Sequence, residues 1–111
     1  MADITVVEVV AERADLGFHQ GDDFTLTLTF AENVSTSTFA AQVRPTVKSS
    51  TSWAFSVDMT DAATGVVVFT LAKADTAAMP ASGNWDLEET KSGKTTTLLK
   101  GRVRVSREVT R

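Results

Sequence analysis

Residues 24–30 read Phe-Thr-Leu-Thr-Leu-Thr-Phe, four large apolar side chains alternating with three threonines. A period of two belongs to an extended chain, whose successive side chains leave opposite faces of a sheet, so one face of this segment packs and the other meets water. A helix would scatter the same residues around its axis. The alternation recurs in Phe39, Ala41 and Val43 with Gln42 and Arg44 opposite, in Trp53, Phe55, Val57 and Met59, and in Val67, Phe69 and Leu71. It recurs again in Leu99, Gly101, Val103 and Val105, with Lys100, Arg102 and Arg104 opposite. Trp85 and Leu87 against Asp86 and Glu88 make a shorter strand. Residues 4–10, apolar at both parities, read as a strand buried on two sides or laid on another surface. The many threonines and valines agree, because β-branched side chains fit a pleated surface better than a helix.

Turn chemistry separates these strands. Gly21-Asp22 precedes the first clear strand, Asp61-Ala62-Ala63-Thr64-Gly65 precedes the strand at Val66, and Lys91-Ser92-Gly93-Lys94 is a hairpin signal. Only residues 73–79 read as helix, with Asp75 placed to cap the first turn and Pro80 to end it. Residues 32–38 and 48–52 read as polar loops. About seven strands at this spacing, in a chain of 111 residues with one domain's worth of polymer, predict an all-β fold: an immunoglobulin-like antiparallel β-sandwich with one short helical turn. Trp53 and Trp85 stand at inward parity, where large rings bridge the sheets. The expected sandwich covers residues 20–111, with residues 1–19 as an N-terminal extension or arm.

The residues that could carry chemistry are few. Without cysteine there is no disulfide, thiolate nucleophile or Cys-ligated zinc site, and the single histidine, His19, has no second histidine to complete a triad or a metal centre. No serine stands in a nucleophile elbow, and the six glycines are scattered singly, without a phosphate loop. Carboxylates gather as Asp22/Asp23, Asp58/Asp61 and Asp86/Glu88/Glu89, none with metal-site spacing. Asp22 and Asp61 suit turns that a side chain hydrogen-bonds, and Asp86 and Glu88 share a solvated face. The expectation is a protein that is not an enzyme and has no cofactor and no metal. No apolar run approaches the roughly 20 residues of a membrane helix, and no basic segment opens a signal peptide, so neither a membrane nor a secretion route is expected.

Charge is unevenly placed. Residues 1–23 carry a formal −5 and residues 100–111 a formal +4, within a net −3. Acidic and basic ends could meet between copies or with a partner, pair within one chain, or stand as two solvated faces. The net acidity and the lack of interleaved aromatics argue against nucleic acid for the stripe of Lys100, Arg102 and Arg104. Val6, Val7, Val9 and Val10 are candidate contacts too: an arm of this composition could add a strand to a neighbouring subunit or fold back into its own sandwich.

Read together, three groups of residues resemble a recurring small β domain of tailed phages. The first is Gly21-Asp22-Asp23-Phe24-Thr25-Leu26-Thr27-Leu28 with Ala41-Gln42-Val43-Arg44, and the second runs from Asp61 through Gly65 to Val67. The third is Leu71 through Asp75, Pro80 and Gly83 to Trp85-Asp86-Leu87-Glu88, with Leu99-Lys100-Gly101-Arg102-Val103-Arg104-Val105 and the terminal Glu108-Val109-Thr110-Arg111. The resemblance is to the N-terminal domain of phage baseplate upper proteins and related virion β-sandwich proteins, over residues 20–111. It implies a non-enzymatic structural protein located in a virion and made in the host cytoplasm. It also implies several copies bound to other virion proteins, of the tail or baseplate first and of the capsid surface as decoration or cement second. Baseplate proteins continue into a stalk and a receptor-binding module, whereas this sequence stops at Arg111, so an adaptor is expected rather than a receptor binder. The alternative of another class is a ligand- or carbohydrate-binding β-sandwich module, which would need exposed aromatic rings.

Overall fold

The structure, a computed structural model, describes residues 12–107. Its strands are β1 (Glu12–Arg13), β2 (Leu16–His19), β3 (Phe24–Thr29), β4 (Thr38–Arg44), β5 (Trp53–Ala54), β6 (Ser56–Asp58), β7 (Val66–Leu71), β8 (Ser82–Lys91) and β9 (Lys94–Ser106). A 3-10 turn at Ala62–Thr64 precedes β7, and helix α1 (Lys73–Ala78) follows it. The larger sheet runs β1-β9-β8-β4-β5, with β2 also on β9; the smaller runs β3-β7-β6. Their inner faces meet over Phe39, Ala41, Val43, Val67, Phe69, Leu71, Trp85, Leu87, Val103 and Val105, all buried. The expected all-β sandwich is therefore the fold.

Alternation drives the pairing. Along β7, Val67, Phe69 and Leu71 face in and their even-numbered neighbours face out, and β3 lies antiparallel to it in the register Phe24↔Leu71 through Thr29↔Val66. The ladder runs one residue further, where Phe30 N–H donates to the Gly65 carbonyl at 2.7 Å. Gly65 stands at φ 89°, and a Cβ there would collide with the Phe30 carbonyl, so the turn needs a glycine. The hairpin at Ser92-Gly93 is a two-residue turn with both φ values positive, 54° and 77°.

The structure corrects the expected N-terminal boundary and the expected strand from Trp53 to Met59. The sandwich begins before residue 20: the described part of the expected arm, residues 12–19, holds β1 and β2, both hydrogen-bonded to β9. These pairings are parallel, because the chain enters along the edge of one sheet and then crosses to the other at residues 20–23 instead of turning back on itself. Residues 4–10 lie outside the described residues. The run from Trp53 to Met59 is not one strand. β5 pairs with β4, β6 pairs with β7, and the buried Phe55 between them donates its N–H to the Ala41 carbonyl at 2.9 Å, so a single extended run changes sheets at Phe55.

Helix α1 spans residues 73–78, one residue short of the expected 73–79 because Met79 is already extended, and its cap comes from elsewhere. No side chain of the helix caps it; Asp23 Oδ1 accepts the Lys73 N–H at 2.9 Å, while Asp75 merely sits in the first turn. Thr76, fully buried, completes the joint: its hydroxyl donates to the Asp22 carbonyl at 2.7 Å and accepts the Gly21 N–H at 3.1 Å. The crossing turn and the helix thus hold each other. A β-bulge between Leu87 and Glu88 inserts Leu98 into β9, turning it into the core.

Candidate functional site

Because Ala41, Val43, Trp85, Leu87 and Val103 point into the core, their neighbours point out from the larger sheet. Strand register places these outward residues in two rows: Gln42, Asp86, Lys100 and Arg13 across four strands, and Arg44, Asn84 and Arg102 beside them. An open groove of about 440 Å³ lies over both rows, walled on one side by the 45–52 loop through Val47. Val47 is 78% exposed, alone among the large apolar side chains of the described residues. Four cations, Arg13, Arg44, Lys100 and Arg102, line the groove against one carboxylate, Asp86.

Two of the cations are positioned locally. Arg44 Nη1 donates to the Ser49 carbonyl at 2.6 Å and Nη2 to Gln42 Oε1 at 2.9 Å, which fastens the Val47 loop to the sheet. Arg13 pairs with Asp15 at 3.3 Å. Among the described residues that is the one ion pair on this face, with Asp86 opposite Lys100 in the ladder and Arg102 near enough to Asp15 to favour its ionised form. Arg104 lies on the same face beyond the groove, in register with Ser82 and Gly17.

The groove's rim is built from the corrected N-terminal strand. Ala14 N–H donates to the Lys100 carbonyl at 2.9 Å, and Asp15 Oδ1 accepts the Arg102 N–H at 3.0 Å, filling the gap between β1 and β2 with a side chain. That backbone donor, with Arg13 beside it, holds the Asp15 carboxyl below the usual aspartate range. Beneath the rim, the Trp85 indole N–H donates to the Ala14 carbonyl at 2.7 Å. A Cβ on Gly101 would collide with that same carbonyl, so glycine is what lets the rim approach.

The structure thus brings Lys100 and Arg102 together with Arg13 and Arg44 and leaves Arg104 outside the groove; Val6, Val7, Val9 and Val10 lie outside the described residues. His19 is exposed at the end of β2. Trp85 is buried and Trp53 half-buried. The carboxylates separate. Asp58 accepts the Thr60 N–H and hydroxyl at 2.9 and 2.6 Å, which lowers its pKa, whereas Asp61 serves its turn through its carbonyl instead of the expected side chain. Glu89 is buried and accepts the Ser37 hydroxyl at 2.7 Å. Its inward position was readable, since it shares the parity of Trp85 and Leu87. Among the described residues no three His, Cys, Asp or Glu are grouped to hold a metal, and no helix is long and apolar enough to cross a membrane. Comparison with protein-family models and with curated proteins finds no match.

Proposed function

We propose that this chain is a non-enzymatic structural protein of a tailed-phage virion. It is a multi-copy adaptor that meets other virion proteins through the outer face of its larger sheet. The observation that carries the reading is the groove itself: a broad, shallow, pleated surface with four cations, one exposed apolar side chain and a rim pinned to the central strands. Such a surface suits protein contact, because cations on a rigid sheet steer an acidic partner and fix its register, while Val47 offers apolar area at the wall. The resemblance of residues 20–111 to virion sandwich domains supplies the setting, with the tail or baseplate ahead of capsid decoration. A carbohydrate-binding platform would need exposed rings, and neither tryptophan stands free on a face.

Removing the gene from the producing phage tests the reading. Particles purified without it are expected to be incomplete at the tail or baseplate by electron microscopy, and restored by the chain supplied in trans. Particles of normal form and composition without it overturn the proposal.

A further inference from the structure

The outward residues of the central strand β8 form a line along the groove floor, Asp86, Asn84 and Ser82, and strand register gives each a different charge environment. Asp86 stands between Gln42 and Lys100, so a carboxylate laid over that point meets a like charge. Asn84 stands between Arg44 and Arg102, whose strands lie two spacings apart, about 10 Å. Ser82 stands beside Arg104. In register with Asn84 and Ser82 the described residues place no carboxylate on β4, β8 or β9. Asp15, at the break between β1 and β2, is committed to the Arg102 N–H and to Arg13.

Arg44 is held ready for a ligand. Its bonds to the Ser49 carbonyl and Gln42 Oε1 orient the guanidinium and use two of the five N–H donors such a group carries. Arg102 and Arg104 are exposed. Alternate residues of an extended chain lie about 6.7 Å apart, the spacing of the rows themselves, so two carboxylates at such positions arrive over Asn84 and Ser82 together. A helix is about 10–12 Å across, and the span from β4 to β1 is about 14 Å between backbones with side chains rising at both sides, so a helix would not reach the floor.

We infer that the groove takes an extended acidic segment of a partner protein, laid over β8 with carboxylates two residues apart above Asn84 and Ser82 and a neutral polar residue above Asp86. The inference rests on the adaptor reading for its partner and deepens it by naming what that partner presents. Arg44 and Arg102 approach the first carboxylate from opposite sides, and Arg104 meets the second. Asp86 fixes the register, because a slide of two residues sets a carboxylate over it. Single-stranded nucleic acid is also a regularly charged chain, but it needs aromatic faces on which its bases stack, and the ring beneath this groove, Trp85, is buried.

The test uses the full chain and a dye-labelled peptide blocked at both ends, Ser-Thr-Glu-Thr-Glu-Thr-Ser, whose palindromic order suits either strand direction. Fluorescence anisotropy is expected to show binding that weakens as salt rises. The same peptide with Gln for both Glu is expected not to bind, and Arg102→Gln or Arg104→Gln to weaken binding about three- to tenfold, as loss of one charged surface contact does. Lys94→Gln, the same change of charge at the distant β8–β9 hairpin, is expected to leave binding unchanged. Asp86→Asn is expected to tighten binding of Glu-Thr-Glu-Thr-Glu-Thr-Glu more than that of the first peptide. No binding at millimolar peptide, equal binding of the Gln peptide, indifference to both arginine variants, or equal binding of an oligothymidylate of the same charge overturns the inference. A chain that binds no such peptide yet enters particles overturns this inference alone, whereas one that binds it but is dispensable to the particle overturns the adaptor reading alone.

Discussion

The indole N–H of Trp85, on a central strand of the larger sheet, donates at 2.7 Å to the carbonyl of Ala14, 71 positions earlier in the chain. One side chain thereby contributes its ring to the core and its polar atom to the strand that rims the groove. Trp85→Phe keeps most of the ring and removes the donor. It is expected to cost about 1–3 kcal/mol, the range for a buried acceptor left without its partner, in urea unfolding. Hydrogen exchange should accelerate first at residues 12–19.

Gly101 stands opposite Trp85 in the β8–β9 ladder and under the Ala14 carbonyl. A methyl group there has no room, and its neighbour is backbone, which cannot swing aside. Gly101→Ala is expected to displace the rim, break the Trp85 bond and destabilise the fold by about 1–3 kcal/mol, as overpacking does. A shift in tryptophan emission would report it. A fully stable variant with unchanged emission would mean that the rim lies elsewhere.

Acid weakens the same rim. The Asp15 carboxyl titrates lower in the fold than in the unfolded chain, because the Arg102 N–H and Arg13 favour its ionised form. Its contribution is therefore complete above the ordinary aspartate value of about 3.9 and is lost as pH falls through the lowered value. The urea midpoint of the native chain is expected to drop between pH 5 and pH 2 by more than that of Asp15→Asn, whose side chain can still accept the bond but has no charge to lose. Equal drops would contradict this.

Ser37 and Glu89 form a buried pair across the end of the sandwich. Ser37→Ala strips the carboxylate of its donor and is expected to cost about 1–3 kcal/mol, while Ser37→Ala with Glu89→Leu should recover much of it, since an apolar pair leaves nothing unpartnered. Unfolding curves of the two variants decide.

What was readable in the sequence were features with a local cause. The alternation at residues 24–30 needs no partner to be recognised as a strand, and the Ser92-Gly93 hairpin and the α1 span follow from turn chemistry within a few residues. What escaped depends on distant chain. The α1 cap comes from Asp23, 50 positions away from Lys73, and Asp75, the local candidate, could not reveal that. The sheet change at Phe55 leaves parity intact, so the run from Trp53 to Met59 looks like one strand. Residues 12–19 lack strong alternation; they become strands because Gly101 and Trp85 accept them. Of the groove, Lys100 and Arg102 were legible as an outward stripe, but Arg13 and Val47 join them only through the parallel edge and the loop that Arg44 ties down.

Charge reversal at the groove tests the central claim most directly. Lys100→Glu with Arg102→Glu changes two outward side chains without touching the core, so circular dichroism and the denaturation midpoint should match those of the native chain. Supplied in trans to particles lacking the protein, the double variant is expected to be absent from the purified virions that the native chain enters. Incorporation at the native level would contradict the account.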